Sequence, residues 1–138
     1  MDRDSRLGLR GVRIKQVILI RKDLKMRRGK EIAQGSHASM EFLVGRLRGA
    51  GTTSTEIALD PSAAAWVEKG MAKVCLRVNS EQELKDLHER ALALGLKSHL
   101  IRDSGRTEFA GVPTLTACAI GPDPAEKIDE VTGGLVPY

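Results

Sequence analysis

A short apolar run, Val17-Ile18-Leu19-Ile20, constrains the fold more than any other feature of the sequence. It is rich in β-branched side chains and is apolar at both odd and even positions. This pattern is typical of a strand covered on both faces, because a strand with one face in water alternates apolar and polar residues. The sequence therefore predicts a buried strand over residues 14–21.

Helical and strand patterns alternate along the rest of the chain. Asp60-Pro61 and the capping box Ser80-x-x-Glu83 are typical helix starts. The predicted elements are a strand at residues 14–21, helices at 29–48 and 60–70, a strand at 72–78, a helix at 80–94, strands at 97–102 and 114–120, and a helix at 123–133. The order β-α-α-β-α-β-β-α predicts an α/β fold with three α/β/α layers around a four-stranded sheet. No helix separates the last two strands, so we expect them to be antiparallel and the sheet to be mixed.

The length of 138 residues is that of one domain. We expect a polar N-terminal tail at residues 1–11 and a single domain at residues 12–138. The charged start has no apolar segment of a secretory signal and no apolar run is long enough to cross a bilayer, so a cytoplasmic location is expected. The spacing of the two cysteines favours neither a disulfide framework nor a metal site, and no cofactor is expected.

Positive charge is concentrated in the first part of the chain. Residues 1–50 hold 13 Lys and Arg against 5 Asp and Glu, whereas residues 51–138 hold 9 against 13. Six cations and one anion fall within residues 21–30. Such a patch attracts nucleic-acid phosphates, although a solvated loop has the same composition. Because aromatic residues are only 3% of the chain, an RNA would be held by its phosphates and shape rather than by base stacking.

The first candidate site is Arg28-Gly29-Lys30, at the junction between the first strand and the first long helix. Unpaired N–H groups at a helix start favour an anion, and Lys30 adds a cation there. The segment is not a Walker A loop, because Leu24 and Glu31 stand where that motif needs Gly and Ser or Thr. By pattern alone, a surface lysine that opens a helix is the simpler interpretation of Lys30.

The second candidate is Asp103-Ser104-Gly105-Arg106-Thr107, directly after the third strand. A carboxylate, a hydroxyl and a guanidinium within five residues can orient water and bind an oxyanion or phosphate. A plain turn has the same composition and is favoured by pattern alone.

Histidines and cysteines give weaker signals. His37 falls on the apolar stripe of the first long helix. This position favours a hydrogen-bonded core histidine over a proton carrier beneath the cation-rich segment 21–30. We expect His88 and His99 to be surface or structural residues, and Cys75 and Cys118 to be buried thiols within strands.

The three candidate segments form part of a larger pattern. It comprises Asp23-Leu24-Lys25-Met26-x-x-Gly29-Lys30-x-x-Ala33-Gln34-x-Ser36-His37-Ala38, then Asp103-Ser104-Gly105-Arg106-Thr107, then Ile120-Gly121-Pro122 and Asp129-x-Val131-Thr132-Gly133. Over residues 15–138 this pattern closely resembles the type-2 peptidyl-tRNA hydrolases of archaea and eukaryotes. Three separated blocks in the matching order make the resemblance specific.

The resemblance implies a compact α/β domain, often dimeric, that hydrolyses the ester between a peptide and the terminal ribose of tRNA. It also implies catalytic positions at Lys30, Asp103 and Thr107, with His37 as a supporting candidate. Ester hydrolysis needs a positioned water, a base and donors for the oxyanion. We therefore expect Asp103 to act as base or water orienter, Thr107 to position the water, and Lys30 to stabilise negative charge. An attacking Thr107 is less favoured because it has no evident adjacent base.

The sequence departs from the family pattern at three places. Arg27 stands where Gly or Ser is more usual, Gly35 replaces a Cys or Val, and residues 111–113 alter the loop before the last strand. These departures leave the polar positions intact.

The expected partner is peptidyl-tRNA, with its acceptor stem bound through phosphates and with no membrane contact. The residues expected to bind it are Arg21, Lys22, Lys25, Arg27, Arg28 and Arg106. Two alternatives remain open at this point: a non-catalytic RNA-binding or adaptor module on the same fold, and a hydrolase of another small acyl ester or phosphorylated molecule.

Overall fold

The computed structural model describes residues 8–106 and 108–138. Its elements are β1 (Ile14–Arg21), α1 (Arg28–Val44), α2 (Pro61–Glu68), β2 (Lys73–Val78), α3 (Glu81–Ala93), β3 (Ser98–Asp103), β4 (Thr114–Pro124) and α4 (Ala125–Thr132). This is the predicted element order, and it confirms the α/β fold class. Thr107 and residues 1–7 of the expected tail lie outside the described residues, and the tail stays a prediction.

The four strands form one mixed sheet in the order β2-β1-β4-β3. β1 pairs with β2 in parallel, whereas β4 pairs antiparallel with both β1 and β3. β1, β2 and β3 therefore run in the same direction, and their ends meet the start of β4 at one edge of the sheet. We call this edge, defined by Arg21, Val78, Asp103 and Thr114, the carboxyl edge.

Helices cover both faces of the sheet, as the predicted layers require. On one face, α3 and α4 bury Leu84, Leu87 and Ile128 against the strands in the largest apolar core. On the other face, α1 packs across β1, β4 and β3, and α2 packs beside it through Trp66. In the described part of the chain, no helix combines the length and the hydropathy that a bilayer crossing requires.

Small side chains let α1 lie close to the sheet. Ala38 of α1 and Ala117 and Ala119 of β4 are buried in the same core cluster, each at most 1% exposed. Methyl side chains at a helix–sheet contact permit a close approach of the two backbones, which favours direct contact between longer side chains at the ends of the helix. The position of α1 over β4 therefore sets the geometry at the carboxyl edge.

A buried polar contact also fixes α1. Gln16 of β1 is fully buried, and its amide nitrogen donates to the Ser39 carbonyl oxygen at 3.0 Å. The Ser39 hydroxyl donates back to the Gln16 amide oxygen at 2.6 Å. The β1–β4 pairing shifts register between Lys15 and Val17, so Gln16 lies at an irregularity of the ladder. Because buried polar groups are costly when unpaired, this reciprocal contact defines where α1 docks.

Some predicted boundaries were wrong. α1 ends at Val44 rather than at residue 48, because the chain leaves the helix at Gly45 and continues in turns. β4 continues to Pro124 rather than ending at residue 120, since its pairing with β1 resumes at Asp123. The last helix therefore begins at Ala125.

The prediction of two buried thiols was half right. Cys118, in the central strand β4, is fully buried, and burial raises the pKa of its thiol to about 11. Cys75 is exposed instead, because β2 is an edge strand whose α1-side face is not covered at that point by a helix.

We predict that Gln16→Leu lowers the free energy of unfolding by about 1–3 kcal/mol, because it leaves the buried Ser39 hydroxyl without its acceptor. Urea denaturation would measure the change. Gln82→Leu, in the exposed part of α3, is the matched control and should change stability by less than about 0.5 kcal/mol. A Gln16→Leu protein as stable as the wild type would contradict this account of the docking of α1.

Candidate active site

The carboxyl edge brings the two polar segments predicted from the sequence together. Asp103 is the last residue of β3, and α1 begins at the same edge after the loop that follows β1. Because α1 crosses β4 to reach β3, Lys30 in its first turn lies beside Asp103. The Lys30 Nζ atom is 2.7 Å from Asp103 Oδ1. Segments 73 residues apart in the chain therefore share one site.

The Lys30–Asp103 ion pair is sheltered from solvent. The two side chains are 14% and 11% exposed, respectively, and the Lys30 ammonium also lies 5.9 Å from the centre of the Phe109 ring. Removing charges from water is costly, so a sheltered pair needs further hydrogen bonds to be stable. The neighbouring residues supply them.

Gln34 was not predicted as a site residue, yet it connects the ion pair to the sheet. Its amide nitrogen donates to Asp103 Oδ1 at 3.4 Å, and its amide oxygen accepts from the Thr116 hydroxyl at 2.5 Å. Thr116 has no strand partner because the β3–β4 register shifts between Ile101 and Arg102. Such a bulge redirects a side chain, here toward α1. The available signal was the spacing: Gln34 lies four residues after Lys30, on the same helix face.

Gly105 holds the other carboxylate oxygen of Asp103. Its backbone N–H donates to Oδ2 at 2.8 Å, and its backbone is left-handed, with φ +84°. A Cβ at this position would lie 2.3 Å from the backbone oxygen of Val112. Only glycine therefore fits here, and the turn that it permits fixes the orientation of Asp103.

These contacts keep Asp103 ionised. The hydrogen bond from Lys30 holds the pKa of the Asp103 carboxyl below its ordinary value of 3.8, although burial opposes the shift. The Gly105 N–H and the charges of Lys30 and His37 lower it further. A carboxylate with a low pKa stays ionised at neutral pH and can accept hydrogen bonds there, but it is a weak base. The site can therefore orient a water molecule while presenting an ammonium to a developing negative charge.

Known proteins are similar to this chain over most of its length. The family model described as "Peptidyl-tRNA hydrolase PTH2" matches residues 14–138. Among curated proteins, a peptidyl-tRNA hydrolase of Methanocaldococcus jannaschii is 43% identical over 88% of this chain and 97% of its own length. Those of Methanopyrus kandleri and Aeropyrum pernix are 42% and 40% identical over 88% of this chain and 95% and 93% of their own lengths. The chain belongs to the peptidyl-tRNA hydrolase PTH2 family.

His37 lies on the surface of this family member rather than in its core. The sequence favoured a core histidine, but the imidazole is exposed on the flank of α1 that also carries Lys30 and Gln34. The apolar stripe misled because α1 leaves part of it open: Ile32 and Met40 are 64% and 57% exposed. His37 is near enough to Asp103 for its charge to lower the pKa of that carboxyl.

The basic loop, residues 22–27, combines buried apolar anchors with exposed cations. Met26 is 6% exposed and packs in the core under α1, with Leu24 partly buried beside it. These anchors leave Lys22 and Lys25 in solvent. Among the described residues, the exposed cations of the basic loop, the start of α1 and the loop after β3 are Lys22, Lys25, Arg27, Arg28 and Arg106.

Arg21 differs from the other predicted RNA-binding cations because its side chain is buried. Its guanidinium donates to both carboxylate oxygens of Asp23, at 3.1 and 2.6 Å, and to the Leu115 carbonyl oxygen at 2.9 Å. These bonds join the end of β1 to the start of β4. A residue at the end of a buried strand has structural partners within reach, and a charge count does not detect them.

Arg27 ties the basic loop to the loop after β3. Its Nε donates to Glu108 Oε1 at 2.7 Å while 81% of its side chain stays exposed. The departure from Gly or Ser at this position therefore adds a bridge over the site.

Thr107, the remaining predicted catalytic residue, lies outside the described residues. Among the residues that are described, no cluster of three His, Cys, Asp or Glu side chains is placed to bind a metal ion.

We predict that Gly105→Ala destabilises the protein more than Gly111→Ala does. Both glycines have positive φ, but a Cβ at Gly111 meets nothing within 4 Å, whereas at Gly105 it meets the Val112 backbone. Urea denaturation should show a loss of about 1–2 kcal/mol for Gly111→Ala and about 1–3 kcal/mol more for Gly105→Ala. Equal losses would show that close packing of this turn does not hold Asp103.

Proposed function

We propose that this chain hydrolyses the ester bond between the peptide and the tRNA of peptidyl-tRNA in the cytoplasm, so that the tRNA can be reused. The observation that carries the proposal is the sheltered Lys30–Asp103 pair at 2.7 Å, which unites two of the segments on which the family resemblance depends. Membership in the PTH2 family supports the same activity. In the reaction, water adds to the ester carbonyl carbon, and the ribose oxygen leaves with a proton.

Asp103 acts in this proposal by orienting the attacking water. Its low pKa keeps it charged at neutral pH, and Oδ2 accepts one bond, from Gly105, among the described residues. A carboxylate oxygen can accept a second donor, so a water can donate to it. Thr107, two residues beyond Gly105, positions the same water through its hydroxyl.

Lys30 stabilises the negative charge that develops on the carbonyl oxygen. Its ammonium is held 2.7 Å from Asp103 Oδ1 and presents a positive charge at the site. A cation held in a sheltered site is effective because it needs no reorganisation during the reaction. His37 is the supporting candidate for proton transfer, because its exposed imidazole lies on the same flank of α1 as Lys30.

We predict that Lys30→Ala and Asp103→Ala each lower the single-turnover rate on a peptidyl-tRNA by about 10²–10³-fold. The double variant should be little slower than either single variant, because the two groups act as one unit. Lys127→Ala, on the opposite sheet face in α4, is the charge-matched control and should keep the wild-type rate. Wild-type rates for Lys30→Ala or Asp103→Ala would exclude these roles.

The tRNA docks on the exposed cations of the carboxyl edge through its phosphates. Lys22, Lys25, Arg27, Arg28 and Arg106 form the proposed contact set, and Arg21 is left out because its guanidinium is engaged within the fold. Phosphate contacts position a nucleic acid without reading its sequence. This suits an enzyme that acts on many tRNAs.

We predict that the affinity for deacylated tRNA falls steeply with salt, with a slope of about −4 to −5 in a log–log plot for five phosphate contacts. Arg28→Ala should make the slope shallower by about 0.9 and Lys127→Ala should not change it. Binding titrations between 50 and 200 mM salt would measure the slopes. A flat dependence would contradict phosphate-driven docking.

The assembly that we propose is a homodimer formed by an apolar groove between α1 and the edge strand β2. The groove has a volume of about 600 Å³ and is bordered by Ile32, Met40 and Met71, of which Met71 is 44% exposed. Gly35 also lines the groove, and a Cβ there would come into ordinary contact with Ile20. The absence of that side chain leaves the groove wider. The rim carries charges of both signs, Glu31 and Lys73, as a surface that pairs with its own copy needs.

We predict that sedimentation equilibrium gives the mass of a dimer for the wild type and of a monomer for Met40→Glu, because the charge would be buried in the interface. Val112→Glu, an equally exposed apolar position in the loop before β4, is the control and should stay dimeric. A monomeric wild type at micromolar concentration would contradict the proposed assembly.

A further inference from the structure

A second cleft opens at the carboxyl edge, beside β2 and away from the Lys30–Asp103 pair. Its volume is about 520 Å³, and its lining includes Lys22 after β1, Arg77 near the end of β2, and Asn79. The C-terminal segment forms one wall, since the Arg77 N–H donates to the Val136 carbonyl oxygen at 3.0 Å.

The acidic residues of the cleft are already engaged. Asp23 accepts two bonds from Arg21, and Glu83 Oε1 accepts the Asn79 backbone N–H at 3.2 Å. The cations are not balanced in this way. Lys22 Nζ lies over the Tyr138 ring, 5.5 Å from its centre. Arg77 is a half-buried residue, and its side chain has no hydrogen bond or ion pair to any residue in 8–106 or 108–138. A half-buried cation without a partner favours an anionic ligand.

The register across the sheet gives the distance from the cleft to Asp103. Arg77 pairs with Ile20, Ile20 with Ala117, and Ala117 with Ile101, so these four residues form one row across the strands. Asp103 lies two residues beyond Ile101 on the same strand. Three strand spacings of about 4.8 Å and the offset of two residues along β3 therefore separate Arg77 from Asp103 by about 16 Å between backbones.

We infer that Arg77, with Lys22, binds a backbone phosphate of the single-stranded 3′ end of the tRNA, about two to four nucleotides before the ester. This inference rests on the proposed function, which places the ester at Asp103. Stacked nucleotides advance about 3.4 Å each and extended ones more, so a partly extended strand that starts at Asp103 reaches Arg77 within that number. The planar guanidinium fork of Arg77 can bind a phosphodiester through two parallel hydrogen bonds.

The test measures binding of a deacylated RNA hairpin that carries the acceptor stem and its single-stranded 3′ end. Arg77→Ala should weaken binding about tenfold and make the single-strand salt slope shallower by about 0.7. Arg77→Lys should fall between wild type and Arg77→Ala, because it keeps the charge and loses the fork. Arg13→Ala, an exposed arginine before β1 at the opposite edge of the sheet, is the charge-matched control and should bind like wild type.

Neutral methylphosphonate linkages, placed one at a time in the 3′ end, locate the contact. At one position two to four nucleotides from the end, the neutral linkage should weaken wild-type binding about tenfold and leave Arg77→Ala unaffected. The inference is overturned if Arg77→Ala binds the RNA like Arg13→Ala. It is overturned as well if the loss of affinity caused by Arg77→Ala is the same whichever linkage is neutral. It is also overturned if inorganic phosphate binds in an Arg77-dependent way while the RNA does not, because the cleft would then be a small-anion site.

Binding of deacylated RNA requires no hydrolysis, so the two proposals fail separately. A wild-type protein that binds through Arg77 but leaves peptidyl-tRNA intact would keep the phosphate site and reject the proposed activity. A protein that cleaves peptidyl-tRNA with no dependence on Arg77 would do the reverse. Thermal melting of each variant shows that it is folded, and if Arg77→Ala is not, Arg77→Gln takes its place with the same expected loss.

Discussion

The ion pair between Lys30 and Asp103 is the contact on which the rest of the site depends. It joins the first turn of α1 to the end of β3 and so makes one pocket from two distant segments. A sheltered ion pair alone is weak evidence of stability, because desolvation offsets much of the attraction. Here Gln34 and the Gly105 N–H donate further hydrogen bonds to the carboxylate, and these bonds offset part of the desolvation cost.

Two irregularities of the sheet place α1 where this pair can form. At one, Gln16 binds Ser39 in the middle of the helix, and at the other, Thr116 binds Gln34 one turn after Lys30. The small residues of β4 allow the helix to approach between these two points. The fold therefore fixes α1 at two positions along its length, and the orientation of Lys30 follows from both.

Much of this arrangement could be predicted from the sequence, because local patterns report local structure. The apolar run of β1, the capping box at Ser80 and the Asp60-Pro61 start each determine an element by short-range physics, and both caps are present in the structure. The roles that the family resemblance implies for Lys30 and Asp103 require the two residues to lie close together. No pattern within either segment indicates this proximity.

The rest depends on tertiary contacts that no local pattern encodes. Arg21 counts as one more cation in the sequence, but the neighbouring start of β4 supplies it with a buried acceptor. His37 sits on an apolar stripe that α1 only partly buries, and Cys75 lies on an edge strand, so both are exposed. Gln34 was not predicted as a site residue, because its amide connects Asp103 to the sheet only where a bulge turns Thr116 toward it.

Titration of Asp103 in the folded protein tests the central contact most directly. Carboxyl-carbon NMR of the wild type should give Asp103 a pKa below 3.8, and Lys30→Met should raise it toward that value, since the Lys30 hydrogen bond is the largest cause of the shift. Because the folded-state pKa is lowered, the stability from this group is present above the unfolded pKa and is lost as pH falls through the folded one. The same Asp103 pKa in both proteins would contradict the account.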